Sequence, residues 1–541
     1  MRNNLSDKLG VLSIVATALV GSYLIWYATS WGPWAGSDSV EYLEAARNLS
    51  TGLGLVLVRA SGAIRPLSLR PPFYSILLSS GLFLKIDVLQ FARFLNIAIY
   101  IALVVGMGTW LARILNSTFA SAAITSLIAL SSFAIWIFSG MMTDALFVTL
   151  TFFGLINLYM YYDHGKAQSV LIAGLFAGLA FLTKLSGVVL VLLGILVIIG
   201  KPGESKRFKI VSSILYTLFA VSPVTLWMMR NHQPGSSVGV YDFSVSNLWS
   251  SLAPVRVAIV NASWEWPYLS MIFPITEYRP RLYMLGFMIV LLSAVTIYVL
   301  TVRKHSMKKV LRDSEQLRFA ILLTIFSLCY LLFIVASYVF VVFPKPALDT
   351  RILWPAQLAF TFSMLIFLYS FFANLLKMKT LNVFLLIPFI YLLWIQIPPS
   401  ISRAVELHSN GHGYTSPGWR SSDLLRRIGE FPQETPIISS DIDVIMFYLK
   451  RPAFRIGELQ TETPVYPFFR YGDNQEDPTE ILFVEQCVPL VIFRGDFWKF
   501  YDLYGEETEE RLHTMTEGLQ HIWTGGGDIY FAPDCELTLT N

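Results

Sequence analysis

Charge is what this sequence has least of. Only 14% of its 541 residues are Asp, Glu, Lys or Arg, against about 25% in ordinary soluble proteins, while 55% are hydrophobic. Mean hydropathy is +0.57. A soluble globule of this length needs a polar skin that the composition cannot supply. The shortage excludes a cytosolic enzyme, a disordered scaffold and a nucleic-acid binder, and it leaves a polytopic membrane protein.

Cysteine is scarce as well. Cys329, Cys487 and Cys535 are too few for a disulfide framework. Cys329 lies in an apolar run, whereas Cys487 and Cys535 share the C-terminal region and can pair in an oxidising compartment. Neither has a CxxC or His partner, so zinc has no support. No GxGxxG or phosphate loop opens a helix, so a nucleotide role has no support either. Acids are rare in the body of the chain: residues 405–541 hold 23 acids and 10 Lys/Arg, leaving 14 acids and 30 bases to residues 1–404. A basic membrane domain, 1–400, is therefore expected to carry an acidic soluble domain, 401–541.

What the sequence does have is long apolar runs. A membrane helix needs ~20 mostly apolar residues. Runs of that kind lie near 9–28, 94–112, 118–138, 143–162, 169–184, 187–200, 208–228, 281–302, 317–343, 351–373 and 380–398, about eleven spans. The first has no small-residue cleavage site after it and reads as a span, not a signal peptide. Lys and Arg alternate along the chain in the sense of an inside N-terminus. Inner segments carry Arg2 and Lys8, Arg113, Lys166, the group 201–209, the dense set 303–318 and Lys377/Lys379, while the short outer turns 139–143 and 344–350 carry almost none. With an odd span count the tail falls outside the cytoplasm, and the plasma (inner) membrane is the expected location.

Two outer loops are long, 29–93 and 229–280, which places the chemistry on the outer face. The first has helical patterns at 38–50 and 72–86. Trp and Tyr over 241–283 read as an interfacial aromatic belt or a carbohydrate platform. In the tail, 436–440 and 488–493 read as strands and 441–449 as a helix, followed by a Gly-rich turn at 524–528 and a run at 529–531. That is a small α/β domain.

The outer acids of the membrane domain are few: Asp38, Glu41, Glu44, Asp144, Asp242, Glu265, Glu277 and Asp349. Ionisable groups near membrane depth are costly and point to function. Asp38 follows the first span in Gly36-Ser37-Asp38-Ser39. It or Ser37 can cap the next helix, or Asp38 can act as a general base or metal ligand at the membrane surface. Glu41 and Tyr42 lie one turn on. In Arg70-Pro71-Pro72-Phe73-Tyr74 the prolines set up a helix start. Arg70 beside an apolar helix suits either interfacial snorkelling or a phosphate, which guanidinium holds in a bidentate fork. Asp144 and Lys184 stand at helix ends where acid first and base last suit the macrodipole. Arg230 and Arg351 are further outer-end bases, and Arg351 opens a helix where the dipole disfavours a cation, so a nearby anion is expected.

In order along the chain, the segments that carry a resemblance are Gly36-Ser37-Asp38 with Tyr42, Ala45 to Leu49, Gly52-Leu53-Gly54 and Arg70 to Tyr74. Thr143 to Phe147, Gly174 to Gly187 with Leu182-Thr183-Lys184, Trp227 to Asn231 and Arg351 to Pro355 complete the set. Together they resemble the GT-C superfamily of membrane glycosyltransferases, in the branch of protein O-mannosyltransferases and aminoarabinose transferases. The resemblance implies an α-helical GT-C membrane domain with a small C-terminal extracytoplasmic α/β domain. It implies an inverting transfer of sugar from a polyprenyl-phosphate carrier to a glycan, lipid or protein acceptor. Asp38 would then be the catalytic acid, with Arg70, Arg351 and Lys184 on donor phosphate. Glu41, Tyr42, Tyr74, Asp144 and Arg230 would support them. Mannosyltransferases of that group often have an adjacent Asp-Glu pair, where this chain has Asp38-Ser39. Beyond the lipid-linked donor the resemblance fixes no cofactor, and a divalent metal is left open. The other readings are a transporter or flippase for lipid-linked saccharides, disfavoured by the lack of an inverted repeat, and a non-catalytic scaffold.

Overall fold

In hydrocarbon, a backbone without internal hydrogen bonds is prohibitively costly, so the apolar runs must be helical. The computed structural model describes residues 5–231, 242–243, 248–265, 276–284, 314–343, 348–375, 378–455, 482–483, 485–496, 506, 508–524 and 526–535. The chain divides into two compact units: Met1–Pro33, Ser68–Tyr74 and Leu89–Ser409 form one, and Trp34–Leu67, Ser75–Val88 and Asn410–Asn541 form the other. Most of the first outer loop, which the sequence suggested was part of the membrane domain, thus groups with the C-terminal tail.

The membrane unit is helical over most of its described length, apart from the short antiparallel strand pair β3 (Asp242–Phe243) and β4 (Val341–Phe343). Its principal helices are α1 (Leu5–Ala28), followed after α2 (Ser37–Ser50) and α3 (Phe73–Phe83) of the loop by α4 (Val88–Leu115), α5 (Thr118–Ala129), α6 (Ser132–Phe138), α7 (Asp144–His164), α8 (Ala167–Thr183), α9 (Val188–Gly200), α10 (Lys206–Asn231) and α11 (Leu248–Glu265). Then come α12 (Glu315–Phe340), α13 (Thr350–Leu375) and α14 (Met378–Asn410). Among the described residues six helices of 21–28 residues are long and apolar enough to cross a membrane, and α5–α6, bent by 66°, makes a seventh if taken as one span. The two expected spans at 169–184 and 187–200 are shorter apolar helices. All but the first four residues of 281–302, and the basic set 303–312, lie outside the described residues. So do residues 232–241, 244–247 and 266–275 of the Trp-rich loop 229–280.

Small residues and buried hydroxyls join these helices, as expected where lipid removes the hydrophobic drive for association. Gly174 and Gly178 bring α8 against α10 so closely that a Cβ would stand 2.8 Å from Tyr216 O or 2.7 Å from Phe219 O. Tyr216 Oη donates to Leu190 O (2.8 Å), Gln396 Nε2 to Leu127 O (2.7 Å) and Ser400 Oγ to Leu130 O (2.6 Å). At the end of α7 expected to face the cytoplasm, Asp163 pairs with Arg318 of α12 at 2.5 Å.

The second unit begins with α2 (Ser37–Ser50) and the antiparallel hairpin β1 (Val56–Val58) and β2 (Ile64–Pro66), which close a small core of Ala45, Leu55, Leu57 and Leu67. Helix α3 (Phe73–Phe83) follows, and belongs to this unit from Ser75 on. In the tail, β5 (Ile438–Ser439), β6 (Phe454–Arg455), β7 (Leu490–Phe493), β8 (Gln520–Thr524) and β9 (Gly527–Phe531) form one sheet in the order β6-β5-β7-β9-β8. β5 is parallel to both its neighbours, whereas β9 is antiparallel to β7 and β8. Central β7 is buried at all four residues, and β9 alternates with a period of two. Helices α15 (Pro417–Arg420), α16 (Asp423–Gly429) and α17 (Ile442–Leu449) accompany the sheet, with Asp441 accepting from Asp443 N and Val444 N as the cap of α17. Cys487 and Cys535 are joined, Cα to Cα 5.6 Å. β5, β7 and α17 thus stand where they were anticipated, shortened at their ends, whereas β9 begins two residues before the anticipated run 529–531, inside the turn expected at 524–528.

Candidate functional site

In the membrane unit, three charged side chains far apart in sequence meet. Asp144 opens α7 and is 2% exposed. Lys184, in extended conformation at the end of α8, places Nζ 2.6 Å from Asp144 Oδ1. Arg351, in the first turn of α13, brings Nε to 3.9 Å from Asp144 Oδ2 and 3.8 Å from Asp349 Oδ2. Lys184 and Arg351 are 18% and 16% exposed. The anion that the helix dipole calls for beside Arg351 is therefore met within the protein. Asp349 also caps α13, accepting from Ile352 N at 2.8 Å. Buried Tyr330 of α12 completes the polar cluster: its hydroxyl donates to Ile352 O at 3.1 Å and Ser186 Oγ lies 3.4 Å away. The sequence had not pointed to Tyr330, because one Tyr within an apolar helix carries no signal of its own.

Arg70 and Tyr74 belong to the same unit, Arg70 half-buried and Tyr74 fully buried. Phe73 between them packs on Leu182, Val224 and Trp227, a cluster that also takes in Phe181 and Leu185. The Pro-Pro segment and the residues on either side of Lys184 thus share one apolar patch. Arg230, at the end of α10, is exposed.

Asp38, Glu41 and Tyr42 belong to the second unit, on α2. The cap of α2 is Gly36, whose N–H donates to Ser39 Oγ at 3.1 Å. Neither Ser37 nor Asp38 is that cap residue, so the capping role considered from the sequence is filled elsewhere. Asp38 sits in the first helical turn, partly exposed, where the dipole favours a carboxylate. Tyr42 is buried, and Glu41 is half-buried.

Glu44, two turns beyond Asp38, ties α2 to the hairpin by accepting from Val58 N at 2.5 Å. Burial pushes its carboxyl up from 4.5 to about 7, against the Val58 N–H and Arg59, which pull it down. The folded chain thus prefers the neutral acid. Below about pH 4.5 both folded and unfolded chains are protonated there; as pH rises to about 7 the unfolded chain ionises first and stability falls. The thermal midpoint of this unit should drop across that window, and Glu44→Gln should flatten the drop. An unchanged slope in the Gln variant would assign it to other groups.

Among the described residues, no group of three or more His, Cys, Asp and Glu is placed to hold a metal ion.

Residues 69–227 match the family model described as dolichyl-phosphate-mannose-protein mannosyltransferase. No curated protein sequence matches the chain. Among solved structures, ArnT from Cupriavidus metallidurans bound to undecaprenyl phosphate is similar over 96% of this chain and 97% of its own, with 14% identity and a TM-score of 0.54. The oligosaccharyltransferase AglB from Archaeoglobus fulgidus, in complex with an inhibitory peptide and a dolichol-phosphate, is similar over 99% of this chain and 76% of its own, with 12% identity and a TM-score of 0.54. The chain shares the fold of these two structures, and the mannosyltransferase family model matches its residues 69–227, a stretch that holds Arg70, Asp144 and Lys184.

Proposed function

We propose that the protein transfers a sugar from a polyprenyl-phosphate carrier to an acceptor hydroxyl or phosphate on the outer face of the membrane, with inversion at the anomeric carbon. The observation that carries this reading is the meeting of Lys184 and Arg351 on one buried carboxylate. Asp144 and Asp349 balance these two charges, but Asp349 is half-exposed and water screens it, so Arg351 can turn from it to an incoming anion. The phosphodiester of a lipid-linked sugar carries one negative charge. Undecaprenyl phosphate bound to ArnT and dolichol-phosphate bound to AglB make a lipid phosphate the natural ligand for this fold.

In this mechanism the acceptor oxygen attacks C1 of the sugar while the bond from C1 to the phosphate oxygen breaks. Asp38 takes the acceptor proton. Arg70, Lys184 and Arg351 stabilise the charge that develops on the departing polyprenyl phosphate, an electrostatic role that needs pre-positioned cations. Asp144 holds two of those cations in place. Glu41 and Tyr42 flank the base on α2, and Tyr74 and Arg230 support the donor segments.

The Lys/Arg alternation favours a cytoplasmic N-terminus and a tail outside. The Cys487–Cys535 bond supports that side for the tail, since such bonds persist in oxidising compartments. Purified protein in proteoliposomes, given radiolabelled polyprenyl-phosphate sugars and an envelope extract as the source of acceptor, should move the label to the acceptor and release the lipid phosphate. Movement of intact donor across the bilayer, or no change in it, would overturn the proposal. A C-terminal reporter active only in the cytosol should stay dark.

A further inference from the structure

The residues that hold the donor-side cluster belong to the membrane unit, but Asp38 is built into the C-terminal unit. Its helix is fastened there at both ends. Ala35, three residues ahead of Asp38 and fully buried, forms a parallel bridge with Gly413 and accepts a hydrogen bond from Tyr414 N at 2.8 Å. Trp34 meets the ring of His412 edge-on, centroids 5.5 Å apart. Gly413 has φ +59°, and a Cβ there would overlap the Ala35 carbonyl oxygen. Only glycine permits both that backbone and that approach.

From Tyr414 the contacts run on. Its hydroxyl donates to both oxygens of Asp441, at 3.1 and 3.2 Å, and buried Asp441 caps α17. Tyr448 of α17 donates back to Tyr414 O at 2.6 Å. Two residues before Tyr448, Met446 O accepts from Arg47 Nη1 at 3.4 Å, which returns the path to α2. The result is a closed ring: Ala35, Tyr414, Asp441, α17, Arg47 and α2. Nothing in the amino-acid sequence links residues 35–47 to 413–446; Tyr414 and Tyr448 also pack against the core of the sheet, to which α17 contributes Val444 and Ile445, so the ring ties α2 to that core.

We infer that Gly413 and Tyr414 are positioning residues for the reaction: the C-terminal unit orients α2, and with it the carboxylate of Asp38. This rests on the proposed role of Asp38 as the base. An alignment device differs from a stability element in what it changes. A displacement of about 1 Å at a catalytic group costs on the order of 100-fold in rate without requiring loss of binding.

The test uses the full-length protein and the transfer assay with a labelled polyprenyl-phosphate sugar. Gly413→Ala and Tyr414→Phe should each lower kcat, the former by about 100-fold and the latter by about 10-fold. KM for the lipid donor should stay within twofold of wild type, and so should donor binding measured directly. Arg47→Gln, which opens the ring at its far side, should lower kcat in the same way and carries the test if Gly413→Ala does not fold. Wild-type kcat in Tyr414→Phe and Arg47→Gln would overturn the inference. A matched loss of donor binding and thermal midpoint in all variants would also overturn it, as the mark of a merely structural ring. If Asp38→Asn is inactive while the ring variants are fully active, only this inference falls; if Asp38→Asn retains transfer, the role of Asp38 falls and takes the inference with it.

Discussion

Asp38→Asn should give a folded, donor-binding protein whose turnover is reduced about 10²-fold or more, the usual scale for loss of a general base. The substitution is nearly isosteric, and the cap of α2 is supplied by Gly36 and Ser39, so little structure depends on the side chain's charge. The expected stability loss is that of one carboxylate near a helix N-terminus, about 0.3–1 kcal/mol. Donor binding should survive because the proposed cations reside in the membrane unit. Near-wild-type transfer by the Asn variant, measured with a labelled polyprenyl-phosphate sugar, would remove Asp38 from the mechanism.

Lys184→Met should be the most damaging single change in the membrane unit. It leaves Asp144 buried with its nearest cation gone and only the longer contact to Arg351 remaining. Breaking a buried ion pair from one side typically costs about 3–5 kcal/mol, because the remaining charge is left without compensation. The double variant Asp144→Leu/Lys184→Met removes both charges and should recover much of that stability, as buried pairs replaced by apolar groups often do. Transfer and donor binding should remain lost in the double variant if the pair serves the phosphate. Thermal unfolding in detergent, read beside donor binding, separates the two roles. A double variant that regains activity along with stability would reduce Asp144 and Lys184 to a structural pair.

The membrane class, the positions of the six longest described spans, the acidic tail and its α/β character were all legible in the sequence. Each rests on composition or on local periodicity: lipid demands apolar helices about as long as the bilayer is thick, and half-buried strands alternate. The approximate ends of α2, α7 and α17 were legible too, since acids and small polar residues mark helix starts. Residue type likewise singled out Asp38, Asp144, Lys184 and Arg351, because charges at the ends of apolar helices are expensive and therefore few.

What those charges do to one another was decided only in three dimensions. Asp144, Lys184 and Arg351 are separated by 40 and 167 positions, and no periodic pattern reports a contact between helices that distant. The same holds for Tyr330, which looks like any aromatic residue in a span, and for Glu44, whose raised pKa comes from burial beneath a hairpin. It holds most of all for α2. The sequence reads it as part of a loop in the membrane domain, next in line after the first span. The tertiary structure instead builds it into the C-terminal unit, through a glycine at 413 that lets two backbones touch. Local chemistry determines which elements form; which elements share a core is settled by close packing between surfaces remote in the chain, and a single sequence does not encode that in any short-range pattern.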